Sequence, residues 1–207
     1  MCANCRKRLP YIREPRCMKC GKPLTRQEQE YCPDCERGGH EFIRGRSVFL
    51  YEKGVRKSVH RMKFQNRREY LDFYAEEMAG AGGDFIRQAA PRVLVPIPMH
   101  PRKRRERGFD QSRLLAKKLG ELTGIPVECA VIRNRYTLPQ KQLDARERRT
   151  NLRGAFSLKE GAMLREPVLL IDDIYTTGAT VDEVCCTLHR AGISRIYFLA
   201  LCTGKGK

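Results

Sequence analysis

The densest chemistry in the 207-residue sequence lies in VLLIDDIYTTGATVDEV, Val168 to Val184. Four apolar residues run into two adjacent acids, Asp172 and Asp173. A polar stretch, Thr176, Thr177, Gly178, Ala179 and Thr180, then opens a helix. Ligands bind at the carboxyl ends of parallel strands, so acids there stand at the functional edge of a sheet. Backbone N–H groups at a helix start form a nest for an anion, helped by threonine hydroxyls and by a glycine where a Cβ would obstruct. Two carboxylates just before such a nest would repel a bare phosphate. They suit a ligand that brings hydroxyl groups, or a divalent cation held between carboxylates and phosphate. A phosphorylated ribose meets both demands. The plainer reading has the acids cap a turn and Thr180 start a helix, which leaves two costly charges at a buried strand end unused.

A second chemistry belongs to cysteine. Cys2, Cys5, Cys17, Cys20, Cys32 and Cys35 form three C-x2-C pairs in the first 35 residues. Cys17, Cys20, Cys32 and Cys35 supply the four thiolates of a closed tetrahedral zinc site, and Gly21 allows the turn after Cys20. Cys2 and Cys5 could instead join Cys17 and Cys20, but Cys2 sits at a fraying terminus. With His40, these six cysteines give seven ligands, short of two complete sites. No apolar signal segment opens the chain and no run reaches the ~18 apolar residues of a membrane helix. We therefore expect a cytoplasmic protein with no membrane insertion, in which paired C-x2-C spacing means metal before disulfide.

The third feature is charge: 41 Lys and Arg against 24 Asp and Glu, a net +17, which makes a polyanionic partner plausible. Much of it lies in two segments. Arg102, Lys103, Arg104, Arg105 and Arg107 follow a strand that should end at the same sheet edge as Asp172, where they could neutralise a pyrophosphate or begin a nucleic-acid track. Phe109 is either a stacking platform for a base or a core residue. Gln140 to Phe156 reads as a hood over an anionic ligand, with Arg148 and Asn151 as its expected contacts.

These groups must be held by elements. Ser47–Tyr51, Val93–Pro98, Val127–Ile132, Val168–Ile171 and Ile196–Cys202 read as strands. Helical spacing recurs over Val55–Phe64, Tyr70–Met78, Asp110–Leu122 and Ala179–Arg190, with the glycine-rich stretch from Ala79 to Asp84 as a helix end. Strands separated by helices predict an α/β domain with a mostly parallel sheet over residues 46–207, preceded by a cysteine-rich zinc-binding module at 1–45. That module is too poor in long apolar side chains to stand without a metal or its neighbour. Between 47 and 90, Tyr51, Arg61, Lys63, Phe64 and Arg67 are the residues that could line a hood.

The strand, two acids and Thr-Thr-Gly-x-Thr of 168–180 resemble the ribose-phosphate motif of type I phosphoribosyltransferases; no Walker A loop occurs. Within that fold the chain resembles the ComF/GntX family of competence-associated proteins of bacterial DNA uptake. The resemblance rests on the cysteine pairs, VPIP at 95–98, ERGFDQS at 106–112 and QKQLDARERRTNLRGAF at 140–156. It implies that Asp172 and Asp173 hold the ribose hydroxyls of phosphoribosyl pyrophosphate, directly or through Mg2+, and that Thr176, Thr177, Gly178, Ala179 and Thr180 cradle its 5'-phosphate. It further implies single-stranded DNA and a DNA-translocating helicase as partners in natural transformation. The residues name no acceptor. A phosphoribosyltransferase, a nucleic-acid-binding module without turnover and a nucleobase salvage enzyme all stay open at this point.

Overall fold

The computed structural model describes residues 3–137 and 145–204, with the backbone alone at 3, 145, 146, 148 and 149. Two short helices, α1 (Ala3–Lys7) and α2 (Pro33–Glu36), belong to the cysteine-rich segment. There follow β1 (Arg44–Leu50), α3 (Lys53–Phe64), α4 (Tyr70–Ala81), α5 (Gly83–Ala89), β2 (Val93–Pro96), α6 (Pro101–Arg107) and α7 (Gln111–Thr123). The chain continues with β3 (Val131–Arg133), α8 (Ala145–Leu152), β4 (Phe156–Leu158), β5 (Val168–Tyr175), α9 (Ala179–His189) and β6 (Ile196–Thr203).

Four strands form one parallel sheet in the order β1-β6-β5-β2. Its central strands are buried on both faces, which is why they read as unbroken apolar runs. Alternation sends Val93, Val95, Val168, Leu170, Ile196 and Phe198 to one face, and Leu94, Leu169, Ile171, Leu199 and Leu201 to the other. The second face is covered by α3, α4, α5 and α7, through residues such as Val59, Met62, Tyr74, Met78 and Leu119. The first is covered by α9, by Leu152 of α8, and by Cys17, Cys20, Cys32 and Phe42. The cysteine segment is thus one of the layers over the sheet.

Three departures from the sequence reading bear on function. β5 runs four residues past Ile171, so Asp172 and Asp173 lie within the strand, Asp172 in register with Ala200 of β6. The basic stretch after Pro98 is a helix, α6, despite having no apolar stripe. His100 accepts from the Arg102 N–H at 3.2 Å, Pro101 occupies the first turn, and Gly108 closes the end at φ 83°. The expected strand at Val127–Ile132 touches the main sheet only where Val127 bridges Leu94. The chain then pairs β3 antiparallel with β4 as a separate ribbon.

Candidate functional site

All four strands of the sheet point their carboxyl ends to one edge, and a cleft of about 880 Å3 opens there. The residues just past the end of each strand line it. Tyr51 comes from beyond β1, Ile97, Pro98 and Met99 from beyond β2, Thr176 from beyond β5 and Gly204 from beyond β6. This is where an open parallel sheet binds ligands.

Asp172 and Asp173 lie in the cleft wall. Ser112, in the first turn of α7, donates its hydroxyl to Asp172 Oδ1 at 3.1 Å, and the Asp173 N–H donates to the same oxygen at 2.8 Å. Lys63, at the end of α3, forms an ion pair with Asp173. Burial pushes the Asp172 carboxyl up to about 8, and the neighbouring Asp173 charge adds to the rise. The position of α7 is itself fixed by Asp110, whose carboxylate accepts from the N–H groups of Arg113 and Met99, both at 3.1 Å.

Three further cations line the same cleft: Lys103 and Arg107 from successive turns of α6, and Arg133 from β3. Burial pulls all three down from their ordinary values. Half-desolvated cations around one cleft are a configuration that an entering anion relieves. Arg102, Arg104 and Arg105 lie on the exposed side of α6, with Arg102 paired to Glu106 at 3.2 Å. Phe109 is packed in the core, 6% exposed, with the Arg68 guanidinium 4.8 Å from its ring centre, so the core reading describes it and the platform reading does not.

The exposed rings of this edge are Phe64 and Tyr136, at 60% and 42% exposure, and both line the cleft. Arg107 sits 5.3 Å from the Phe64 ring centre, and Arg102 and Lys103 sit 5.0 and 5.5 Å from that of Tyr136. Lys63 and Tyr51 line the cleft as well, whereas Arg61 and Arg67 do not. Ser112 was marked in the sequence only as the last residue of ERGFDQS, and Arg133 and Tyr136 had no signal beyond their residue types, because the turn that carries β3 away from the sheet has no motif. Asn151, half-buried at the end of α8, accepts from Arg135 through its carbonyl at 3.0 Å and is not among the cleft-lining residues. The Arg148 side chain and residues 140–144 of the expected hood lie outside the described residues.

Of the threonine loop, Thr176 and Thr180 line the cleft, while the Thr177 hydroxyl is buried with no partner among the described residues. Gly178 has φ 86° and forms the N-cap of α9, with Ala179 opening the helix.

The cysteine centre lies beneath this loop. The sulfurs of Cys17, Cys20, Cys32 and Cys35 lie within 4.8 Å of one another, and those of Cys20 and Cys32 are 3.6 Å apart. Tetrahedral thiolates around one zinc ion stand about 3.8 Å apart, so the set fits that ion. Mutual hydrogen bonding pulls the Cys17 thiol down and pushes Cys20 and Cys35 up, as expected of closely packed thiols that titrate together. Lys22 and Asp34, paired at 2.8 Å, brace the two knuckles.

DNA utilization protein YhgH of Escherichia coli is 31% identical over 191 residues, 90% of this chain and 83% of that protein. The chain belongs to the ComF family. Competence protein F of Haemophilus influenzae is 29% identical over 202 residues, covering 95% of this chain and 87% of its own. Competence protein ComFC of Bacillus subtilis is 29% identical over 197 residues, 92% and 78% respectively. A family model described as a double zinc ribbon domain matches residues 1–36. In this ComF-family chain that match ends just past Cys35, so the four-cysteine cluster is a zinc-binding module. It is the one such set among the described residues. Cys5 is exposed on α1, and Cys2 lies outside them.

Proposed function

We propose that this chain carries a type I phosphoribosyltransferase-like site that binds phosphoribosyl pyrophosphate with Mg2+, and that it takes single-stranded DNA across the mouth of the same cleft, in DNA uptake. The observation that carries the reading is convergence at one sheet edge. Two carboxylates suited to ribose hydroxyls or a divalent cation, a threonine loop on a helix N-terminus, and three half-buried cations line one cleft. Asp172 and Asp173 would hold the sugar or its Mg2+, Thr176–Thr180 the 5'-phosphate, and Lys103, Arg107 and Arg133 the pyrophosphate.

Phe64 and Tyr136, each exposed and each with a basic group over its ring, support the DNA half of the reading. Exposed rings beside cations are what a single strand uses for stacking and backbone contact. The relatives named for competence and for DNA utilization supply the setting.

Calorimetric titration with phosphoribosyl pyrophosphate should give saturable binding that requires Mg2+, weakened at least about tenfold by Asp172→Asn with Asp173→Asn. Binding unchanged in that double variant would defeat the phosphosugar site. Removing both rings, by Phe64→Ala with Tyr136→Ala, should weaken binding of a short oligodeoxythymidylate about tenfold or more, well beyond any loss in the phosphosugar titration. A strand that binds equally well without the rings would remove them from the DNA path.

A further inference from the structure

The zinc module meets the threonine loop through a small group of residues, with His40 at their centre. The side chain of His40 is 1% exposed; the residue lies five positions beyond the last zinc-module cysteine and brings its Nδ1 to 2.9 Å from Asp182 Oδ2 in the first turn of α9. The Glu41 N–H donates to the other oxygen of Asp182 at 3.2 Å. The His40 ring is stacked on Phe42 at 4.9 Å, and Phe42 shares its core with Cys17, Cys20 and Cys32.

The far end of the loop is held from the same side. Tyr175, the last residue of β5, meets Phe42 edge-on at 6.3 Å, and Lys22 of the first knuckle lies 5.5 Å over the Tyr175 ring. Between these grips sits Gly178. A Cβ there would stand 2.7 Å from His40 Cε1 and 2.9 Å from the Tyr175 hydroxyl, so the loop backbone rests directly on the two side chains. His40 Nε2, the Tyr175 hydroxyl and the Thr177 hydroxyl are all buried without a hydrogen-bond partner among the described residues, so the polar floor of the loop is assembled from both parts of the chain.

We propose that His40 is a positioning residue for the phosphate loop, the strut by which the zinc module sets the loop's geometry. A nest of backbone N–H groups binds an anion well only if its conformation is held before the ligand arrives. A glycine-centred loop does not hold itself, because glycine surrenders the most conformational freedom on ordering. The His40–Asp182 contact fixes the helix start, and the His40 ring closes the space below Gly178. The inference rests on reading Thr176–Thr180 as the phosphate site.

The test uses the full-length, zinc-loaded protein with His40→Ala, His40→Asn and His40→Gln. Asparagine places an amide where Nδ1 stands and can donate to Asp182. Glutamine reaches past it to the position of Nε2 and cannot. Amide hydrogen exchange over 177–182 should quicken at least about tenfold in His40→Ala, with affinity for phosphoribosyl pyrophosphate and Mg2+ falling about tenfold. Asparagine should restore most of both, glutamine little of either, and zinc content should stay constant throughout.

Unchanged loop exchange in His40→Ala, or asparagine and glutamine variants that behave alike, would overturn the proposal. If the alanine variant does not fold, the asparagine–glutamine pair still decides it. A wild-type protein that binds no phosphosugar would sink the reading of the loop as a phosphate site. The exchange measurement would still report on His40 by itself.

Discussion

Asp172 shows what the candidate site costs the protein that carries it. Burial raises its carboxyl to about 8 in the folded chain, against about 3.9 when unfolded. Between those values the folded state binds the proton more tightly than the unfolded one. The contribution of Asp172 to stability is therefore fully present below about pH 4 and is lost as pH rises through 8. Asp172→Asn keeps an oxygen to accept from Ser112 and from the Asp173 N–H, and it removes the charge. The variant should match wild type near pH 4 and exceed it at pH 8.5 by at least ~1 kcal/mol in urea denaturation, while losing the phosphosugar titration. A variant less stable than wild type at pH 8.5 would mean that the charge is already compensated in the absence of ligand. The acids and the loop were legible as residues because their types are improbable at a buried strand end. Lys63, expected to line a hood, stands in the cleft paired with Asp173, whereas Ser112 and Arg133 had ordinary types and acquired a role only from the elements that bring them in.

At the scale of elements, legibility followed burial. The strands β2 and β6 and the helices α3, α4, α7 and α9 carry apolar periodicity and were expected close to where they stand, whereas β5 was expected only as far as its apolar run, to Ile171. α6 was missed because PRKRRER buries no apolar face. Its evidence is punctuation, a proline in the first turn and a glycine at the end, with the helix held by its caps. The early part of β1 lies outside the expected strand Ser47–Tyr51 because Arg44-Gly45-Arg46 carries no apolar side chain. Gly45 is there for packing. It pairs in register with Phe198, and a Cβ at Gly45 would meet that ring at 1.9 Å. Phe198 cannot withdraw, being fully buried, stacked on Tyr175 at 4.5 Å and edge-on to Phe42 at 4.8 Å. Gly45→Ala should therefore cost about 3 kcal/mol. The midpoint of denaturant unfolding reads this directly, and an unshifted midpoint would mean that β1 can slide off β6 to make room.

For the whole molecule the question is whether the zinc module and the α/β part fold separately. Composition alone suggests two units with a join near residue 45, the first too poor in apolar residues to stand by itself. The packing joins them. Cys17, Cys20, Cys32 and Phe42 are enclosed in the same core as Val95, Leu170, Leu188 and Phe198, and Ile43 donates its N–H to the carbonyl of Ile196 at 2.8 Å. Beyond the cluster, Tyr11 bridges antiparallel to Phe49, while Arg6 and Tyr11 both bind the buried Glu77 of α4, so the N-terminal segment is tied to the sheet and to the opposite helical layer. Removing zinc therefore uncovers one face of the sheet in place of freeing an appendage, since metal binding to such a cluster is folding free energy. Scanning calorimetry of the zinc-loaded protein should show one cooperative transition. Stripping the metal with a chelator should lower that transition as a whole, with near-ultraviolet signals of the buried tyrosines Tyr74 and Tyr175 lost together. Two resolved transitions, the later one indifferent to zinc, would show instead that the sheet keeps its own stability and that the cysteine layer merely rests on it.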